Sequence, residues 1–129
     1  MNVLDYFNAR LEATISPMDY MKSIKMDPEK YFLIDVRNGP SELRNIVIQG
    51  AKIIPEQEFE NRLEELPNNT EIIVYCWDVW CNTAAKVAKL LLEKGYKVKE
   101  LSGGIAAWQK MNFPVTNLNS DHIENSCEC

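Results

Sequence analysis

One segment of the 129-residue chain limits the possible folds most: an apolar run ends in a cysteine, and a short loop and an amphipathic helix follow. The run covers residues 71–75, the cysteine is Cys76, and the helix places Ala84, Val87 and Leu91 on one face. Such a run predicts a buried strand. A thiol between this strand and the next helix lies where backbone N–H groups and the helix dipole favour negative charge. The segment therefore predicts a reactive thiolate at Cys76.

The length and charge of the chain restrict its architecture and its partners. A chain of 129 residues with 46% apolar content is long enough for one hydrophobic core, so we expect one domain. The net charge of −5 and pI near 4.9 argue against binding to nucleic acid or an anionic membrane. No apolar run approaches a membrane span, and the N-terminus lacks the basic residues of a secretory signal. We expect a cytoplasmic protein whose partners are small molecules or other proteins.

Strand and helix patterns alternate along the chain. Strands are predicted over residues 31–36, 51–54, 71–75 and 96–101, and helices over residues 1–13 and 16–25, after Pro55, after Cys81 and around Trp108. This alternation predicts an α/β domain with a mostly parallel sheet of about five short strands and helices on both faces. The apolar residues of the first helix pack either on the domain or on a partner.

Three loops are expected to meet at one edge of this sheet. Ligands of parallel sheets bind outside the carboxyl ends of the strands. Asp35, Cys76 and the Gly103-Gly104 turn each follow or end a predicted strand, so they fall at that edge. The sequence therefore places Cys76 in a cluster of loops.

The same residues give the chain a resemblance to a known family. Four segments carry it: Leu33-Ile-Asp-Val-Arg37, Gly50-Ala51 with Ile54-Pro55, Val74-Tyr-Cys76, and Ser102-Gly-Gly-Ile-Ala-Ala-Trp108 with Pro114-Val115. In this order and spacing they resemble the single-domain rhodanese-like sulfurtransferases. The resemblance implies a rhodanese-like domain over residues 14–116, after an N-terminal helix (1–13) and before a flexible polar tail (117–129).

The resemblance implies a role for several named residues. Cys76 is the catalytic nucleophile: its thiolate attacks a sulfane sulfur and forms a persulfide, which an acceptor then removes. The substrate-binding loop follows it and consists of Trp77, Asp78, Val79, Trp80 and Cys81. Asp35 and Arg37 form a structural ion pair near the site, and Gly103 and Gly104 supply backbone conformations that side chains forbid. No metal and no cofactor are required.

The loop departs from the family pattern. Cys81 occupies the position at which rhodaneses usually have an arginine, and acidic Asp78 disfavours an anionic donor such as thiosulfate if its carboxylate faces the pocket. Cys81 either resolves an oxidised or persulfidated Cys76 into a disulfide or only fills space. Trp77 and Trp80 either form an aromatic rim or pack over the loop.

These residues lead us to expect a sulfurtransferase that moves sulfur from thiosulfate or a persulfide donor to a thiol or cyanide acceptor. A partner protein can supply or receive the sulfur. The alternative is a noncatalytic or redox-sensing binding module that uses the Cys76/Cys81 loop. A phosphatase is disfavoured because Asn82 stands where such enzymes place an arginine. Metal binding by the loop cysteines together with Cys127, Cys129 and His122 is disfavoured by their spacing.

Overall fold

The computed structural model describes residues 2–118, and its centre is a five-stranded parallel sheet. The strands are β1 (Thr14–Ile15), β2 (Tyr31–Asp35), β4 (Lys52–Ile53), β5 (Glu71–Tyr75) and β6 (Val98–Leu101), and their order in the sheet is β1-β6-β5-β2-β4. All neighbouring strands in it are parallel. The predicted α/β class and parallel sheet are confirmed.

Helices cover both faces of the sheet. They are α1 (Val3–Ala13), α2 (Pro17–Met26), α3 (Thr83–Glu93), α4 (Gly104–Lys110) and two 3₁₀ segments, Ser41–Leu43 and Glu56–Glu65. α2 begins as the sequence predicts, because the Ser16 side chain caps the backbone N–H of Asp19. No helix within residues 2–118 is long and apolar enough to cross a membrane.

The strand alternation divides the interior into two cores. Because successive side chains of a strand point to opposite faces, Ile72, Val74 and Cys76 lie on one side of β5, and Ile73 and Tyr75 lie on the other. The first core lies beneath α3 and the Glu56–Glu65 segment, and the second lies beneath α2 and α4. Cys76 therefore points toward the helix that follows its own loop.

A small second sheet lies over the second core, and the sequence patterns did not predict it. β3 (Ile46–Ile48) pairs antiparallel with β7 (Val115–Asn117). Both strands are three residues long, too short for a periodic pattern to identify. Between α4 and β7, the indole of Trp108 donates to the carbonyl of Pro114 at 2.8 Å, and Trp108 is buried.

Two predicted helices are present, but one differs in its helix type and the other buries none of its residues. The helix after Pro55 is not an α-helix but two 3₁₀ turns joined at Arg62, whose backbone is non-helical. Phe59 in this segment and Leu66 directly after it are buried. The N-terminal helix forms as predicted, but none of its residues is buried.

A buried polar network joins the two sheets at the carboxyl ends of β2 and β5. The Arg37 guanidinium donates to both carboxylate oxygens of Asp35 at 2.7–3.0 Å and to the carbonyl of Ile46 at 2.7 Å. The Tyr75 hydroxyl donates to Asp35 at 2.8 Å and accepts from the N–H of Ile48 at 3.0 Å. Asp35, Arg37 and Tyr75 are at most 2% exposed. The network therefore fixes β3 against the main sheet.

Burial and the adjacent Asp35 carboxylate raise the pKa of Tyr75 far above its usual range, so its hydroxyl stays protonated and keeps both hydrogen bonds. Tyr75→Phe removes the hydroxyl and leaves the Ile48 N–H buried without this acceptor. We expect the free energy of unfolding to fall by about 1–3 kcal/mol. Urea denaturation measures the change.

Tyr6→Phe is the matched control, because Tyr6 lies on exposed α1 and is 53% exposed. This variant should change stability by no more than about 0.5 kcal/mol. Equal losses in the two variants would show that the Tyr75 hydroxyl does not stabilise the fold.

Candidate active-site loop

Cys76 lies between β5 and the loop that leads into α3. Its side chain is 2% exposed and packs with Val74, Ala84 and Val87 in the first core. The backbone is fixed by neighbouring strands, because β5 pairs with β2 on one side and with β6 on the other. The thiol therefore occupies a defined position rather than a mobile loop tip.

The structure joins Cys76 to Cys81 in a disulfide. Their Cα atoms are 6.3 Å apart, within the range of about 4.4–6.8 Å that disulfides span. In this oxidised state neither sulfur is a thiolate. The reactive thiolate predicted at Cys76 therefore belongs to the reduced protein.

Asp78 organises the loop between the two cysteines. Its carboxylate accepts a hydrogen bond from the N–H of Trp80 at 2.9 Å, and its carbonyl accepts from the N–H of Cys81 at 3.3 Å. The side-chain bond is an Asx turn, which bends the backbone locally. This curled loop brings Cys81 back toward Cys76. The same bonds occupy two loop N–H groups, so these groups are not available to an anionic substrate.

The N-terminal end of α3, which carries the positive end of the helix dipole, lies close to the two cysteines in the chain. Asn82 precedes the helix but makes no side-chain capping bond, and the first turn contains no acidic residue. The N-terminal end of a helix carries partial positive charge and stabilises nearby anions. Since Cys81 lies two residues before Thr83, the first residue of α3, the geometry favours negative charge on a sulfur in this loop once the disulfide is reduced.

The start of α4 holds the backbone of the site. The N–H of Ile105 donates to the carbonyl of Cys76, and the N–H of Ala106 donates to the carbonyl of Trp77, each at 3.0 Å. Gly103 and Gly104 both have positive φ, 76° and 60°. A Cβ at Gly104 would collide with the Cys76 carbonyl and lie 2.9 Å from the carbonyl carbon of Trp77. Only glycine permits this close approach.

The two loop tryptophans occupy different environments. The Trp77 ring lies 4.5 Å from the Arg37 guanidinium carbon, a cation–π arrangement, and packs against both cores. Trp80 is 86% exposed and neighbouring Val79 is 73% exposed. Trp77 thus rigidifies the loop, while Trp80 and Val79 form its outer surface.

The structure brings some of the predicted site residues together and separates others. Gly104 touches the Cys76 backbone, whereas Asp35 and Arg37 satisfy each other in the buried network. The network meets the loop at Tyr75, which directly precedes Cys76, and at Trp77, whose ring lies against the Arg37 guanidinium. Asp35 and Arg37 therefore support the site and do not face the Cys76 sulfur.

Sequence reasoning missed two contributors to the site. The apolar pattern of residues 71–75 predicts only a buried strand, although the Tyr75 hydroxyl within it indicates a polar partner, which the structure shows to be Asp35. The backbone N–H groups of Ile105 and Ala106 also bind the site, and only the preceding pair of glycines in the sequence indicates this contact.

No group of three or more His, Cys, Asp or Glu side chains in the described range, residues 2–118, could hold a metal ion. The flexible tail was predicted to begin at residue 117, but Asn117 ends β7 and pairs with Ile46. The rest of the predicted tail from residue 119 onward, with His122, Cys127 and Cys129, lies outside the described residues.

Comparison with known proteins identifies the domain. A family model described as Rhodanese-like domain matches residues 18–111. A protein from Allochromatium vinosum named Sulfurtransferase is 29% identical over 90 residues, which cover 69% of this chain and 81% of that protein. An HTH-type transcriptional regulator from Mycobacterium tuberculosis is 34% identical over 83 residues, which cover 64% of this chain but only 36% of the regulator.

Solved structures agree with this assignment. The crystal structure of a full-length protein from Lactobacillus plantarum superposes with a TM-score of 0.84 at 26% identity, and the match covers 89% of this chain and 96% of that one. The predicted rhodanese-like fold is confirmed.

Gly104→Ala tests the contact between α4 and the site. The added methyl group must displace the Cys76 carbonyl in addition to straining the backbone, so we expect a loss of about 2–5 kcal/mol in the free energy of unfolding. Urea denaturation measures it under oxidising conditions.

Gly95→Ala is the control, because Gly95 also has positive φ, 91°, but its added Cβ meets nothing within 4 Å. This variant carries only the backbone strain, about 1–2 kcal/mol. Losses of the same size in both variants would contradict a steric role for Gly104.

Proposed function

Because the chain belongs to the rhodanese-like domain family, we propose that it is a sulfurtransferase that carries sulfur as a persulfide on Cys76. One observation carries the proposal: Cys76 lies directly after a central strand, with its carbonyl held by α4 and the uncapped start of α3 close to its disulfide partner. This arrangement positions one thiol in a field that favours its ionised, nucleophilic form.

The proposed reaction starts from the reduced protein. The Cys76 thiolate attacks the sulfane sulfur of the donor, a bond to that sulfur breaks, and the remainder of the donor leaves as its anion. The sulfur stays on Cys76 as a persulfide. A thiolate or cyanide acceptor then attacks the outer sulfur and restores the Cys76 thiolate.

We propose a low-molecular-weight persulfide or a partner protein's persulfide as the preferred donor. Thiosulfate carries two negative charges, and the loop presents the Asp78 carboxylate within two residues of the nucleophile. The Asp78 carboxylate also accepts a hydrogen bond from the Trp80 N–H, so this N–H is not free to bind an anion. Electrostatic repulsion by the Asp78 carboxylate and the lack of a free Trp80 N–H both disfavour thiosulfate as the sulfur donor.

Mass spectrometry of the reduced protein after brief exposure to glutathione persulfide or thiosulfate tests the persulfide directly. In a Cys81→Ser variant, which has no disulfide partner in the loop, we expect a gain of one sulfur, about 32 Da, that peptide analysis maps to Cys76.

The control is Cys76→Ser, which should gain no sulfur in the loop. If neither glutathione persulfide nor thiosulfate transfers sulfur to Cys76, the proposal is overturned.

A second function is favoured by the disulfide itself. A rhodanese-like domain whose loop alternates between a dithiol and a disulfide can report the thiol redox state to a partner without transferring sulfur. The exposed Val79 and Trp80 would then present a different surface in each state. Formation of the Cys76–Cys81 disulfide by a chemical oxidant, with no sulfur gain from any donor, would favour this function.

Asp78→Asn tests the charge effect on the donor. The asparagine oxygen can still accept from the Trp80 N–H, while the negative charge is removed. We expect single-turnover reaction with thiosulfate to become about fivefold faster, since like charges a few ångströms apart repel by about 1 kcal/mol even in water.

Reaction with a neutral donor provides the control. A neutral organic trisulfide should react at nearly the same rate with Asp78→Asn and with the parent protein. A thiosulfate rate that does not change would show that Asp78 does not select against anions.

A further inference from the structure

We propose that Cys81 discharges the Cys76 persulfide within the same chain, releasing hydrosulfide and leaving the Cys76–Cys81 disulfide, which a dithiol then reduces. This inference rests on the proposed function and extends it, because it assigns a product and an electron source. The protein would act as a persulfide reductase and not only as a carrier of sulfur.

The loop geometry supports the internal step. A disulfide links the two cysteines across a Cα separation of 6.3 Å, so the sulfur of Cys81 reaches the sulfur of Cys76 in this fold. The two hydrogen bonds to Asp78 hold the curl that brings Cys81 back. Cys76 is fixed by β5 and by the N–H of Ile105. The attacking and accepting sulfurs are therefore positioned in advance.

Each step balances in atoms and electrons. In the first, the Cys76 thiolate takes the sulfane sulfur from a donor RS–SH and releases RS⁻. In the second, the Cys81 thiolate attacks the Cys76 sulfur, the bond to the outer sulfur breaks, and HS⁻ leaves. The sulfane sulfur gains two electrons and the two cysteines lose two. A dithiol returns these electrons and becomes a disulfide.

Proximity favours the internal step over an external acceptor. A group held next to its target reacts at an effective concentration of millimolar or far higher, depending on orientation. Cys81 is already within bonding range of the Cys76 sulfur in this fold, whereas an external acceptor must first diffuse to it.

Reduction of the disulfide is expected to begin at Cys81. This residue is partly exposed, whereas Cys76 is buried. The incoming thiolate therefore attacks the Cys81 sulfur and expels Cys76 as a thiolate, near the start of α3. A second thiol of the same reductant then releases Cys81. This order regenerates the Cys76 nucleophile first.

A single-turnover experiment without added thiol tests the proposal. The 129-residue chain is prepared with Cys127→Ser and Cys129→Ser, so that Cys76 and Cys81 are its remaining cysteines. This variant is reduced, desalted without oxygen and mixed with glutathione persulfide that carries an isotopically labelled sulfane sulfur. Bimane trapping measures labelled sulfide, and intact mass measures the protein.

We expect about one labelled sulfide per protein and a protein mass lower by about 2 Da, as for a new disulfide. With Cys81→Ser added, we expect a stable gain of one sulfur, about 32 Da, and at least a tenfold loss of sulfide release. Cys76→Ser corrects for sulfide that the donor releases by itself.

The other outcomes separate this inference from the proposed function. A persulfide that persists when both cysteines are present overturns the inference and leaves the sulfurtransferase intact. A disulfide without labelled sulfide overturns it too, since the disulfide then arises by ordinary exchange. Failure of Cys81→Ser to gain sulfur overturns the proposed function and this inference with it.

Reduction of the product identifies the electron source. Dithiothreitol and the dithiol protein thioredoxin should each restore a second round of sulfide release, whereas a monothiol at equal thiol concentration should be at least tenfold slower. Rapid restoration by the monothiol alone would overturn the dithiol requirement.

Discussion

The buried carboxylate of Asp35 is the interaction on which the surrounding structure depends. A buried charge destabilises a fold unless a partner and hydrogen bonds compensate it. Arg37 and Tyr75 supply both, and they in turn bind the backbone of Ile46 and Ile48. Removing one partner leaves the others buried and unsatisfied, so the carboxyl ends of β2 and β5 and the small second sheet are coupled.

This coupling reaches the candidate active site through adjacent residues. Tyr75 immediately precedes Cys76, and Trp77 stacks on the Arg37 guanidinium. The strand alternation directs Tyr75 into one core and Cys76 into the other. The network therefore fixes the backbone beside the thiol without placing a charged group against its sulfur.

The remainder of the site is set by α4 and by the loop. The N–H groups at the start of α4 hold the first two residues of the loop, and Asp78 bends the next ones so that Cys81 returns to Cys76. The site thus combines a rigid nucleophile with a second cysteine on a curled loop. A carrier of persulfide needs the first of these features, and a reductase that releases sulfide needs both.

The sequence by itself determined the parallel sheet, the helices around it and the position of Cys76 at a strand end. These features depend on local periodicity and on the chain order of strands and helices, which one sequence records directly. It also contained the Gly103-Gly104 signal, although it did not show what approaches that backbone. The Asx turn of Asp78 is likewise local, but its effect on the distance between two cysteines is not.

Only the tertiary structure decided how the loop closes and how Tyr75 is used. The disulfide separation, the hydroxyl bond of Tyr75 to Ile48 and the stacking of Trp77 on Arg37 join residues whose relative placement depends on the packing of several elements. The pairing of β3 with β7 joins segments nearly seventy positions apart, as the register of Val47 with Thr116 shows. Contacts of this kind arise from three-dimensional packing, and a periodic pattern along the chain carries no record of them.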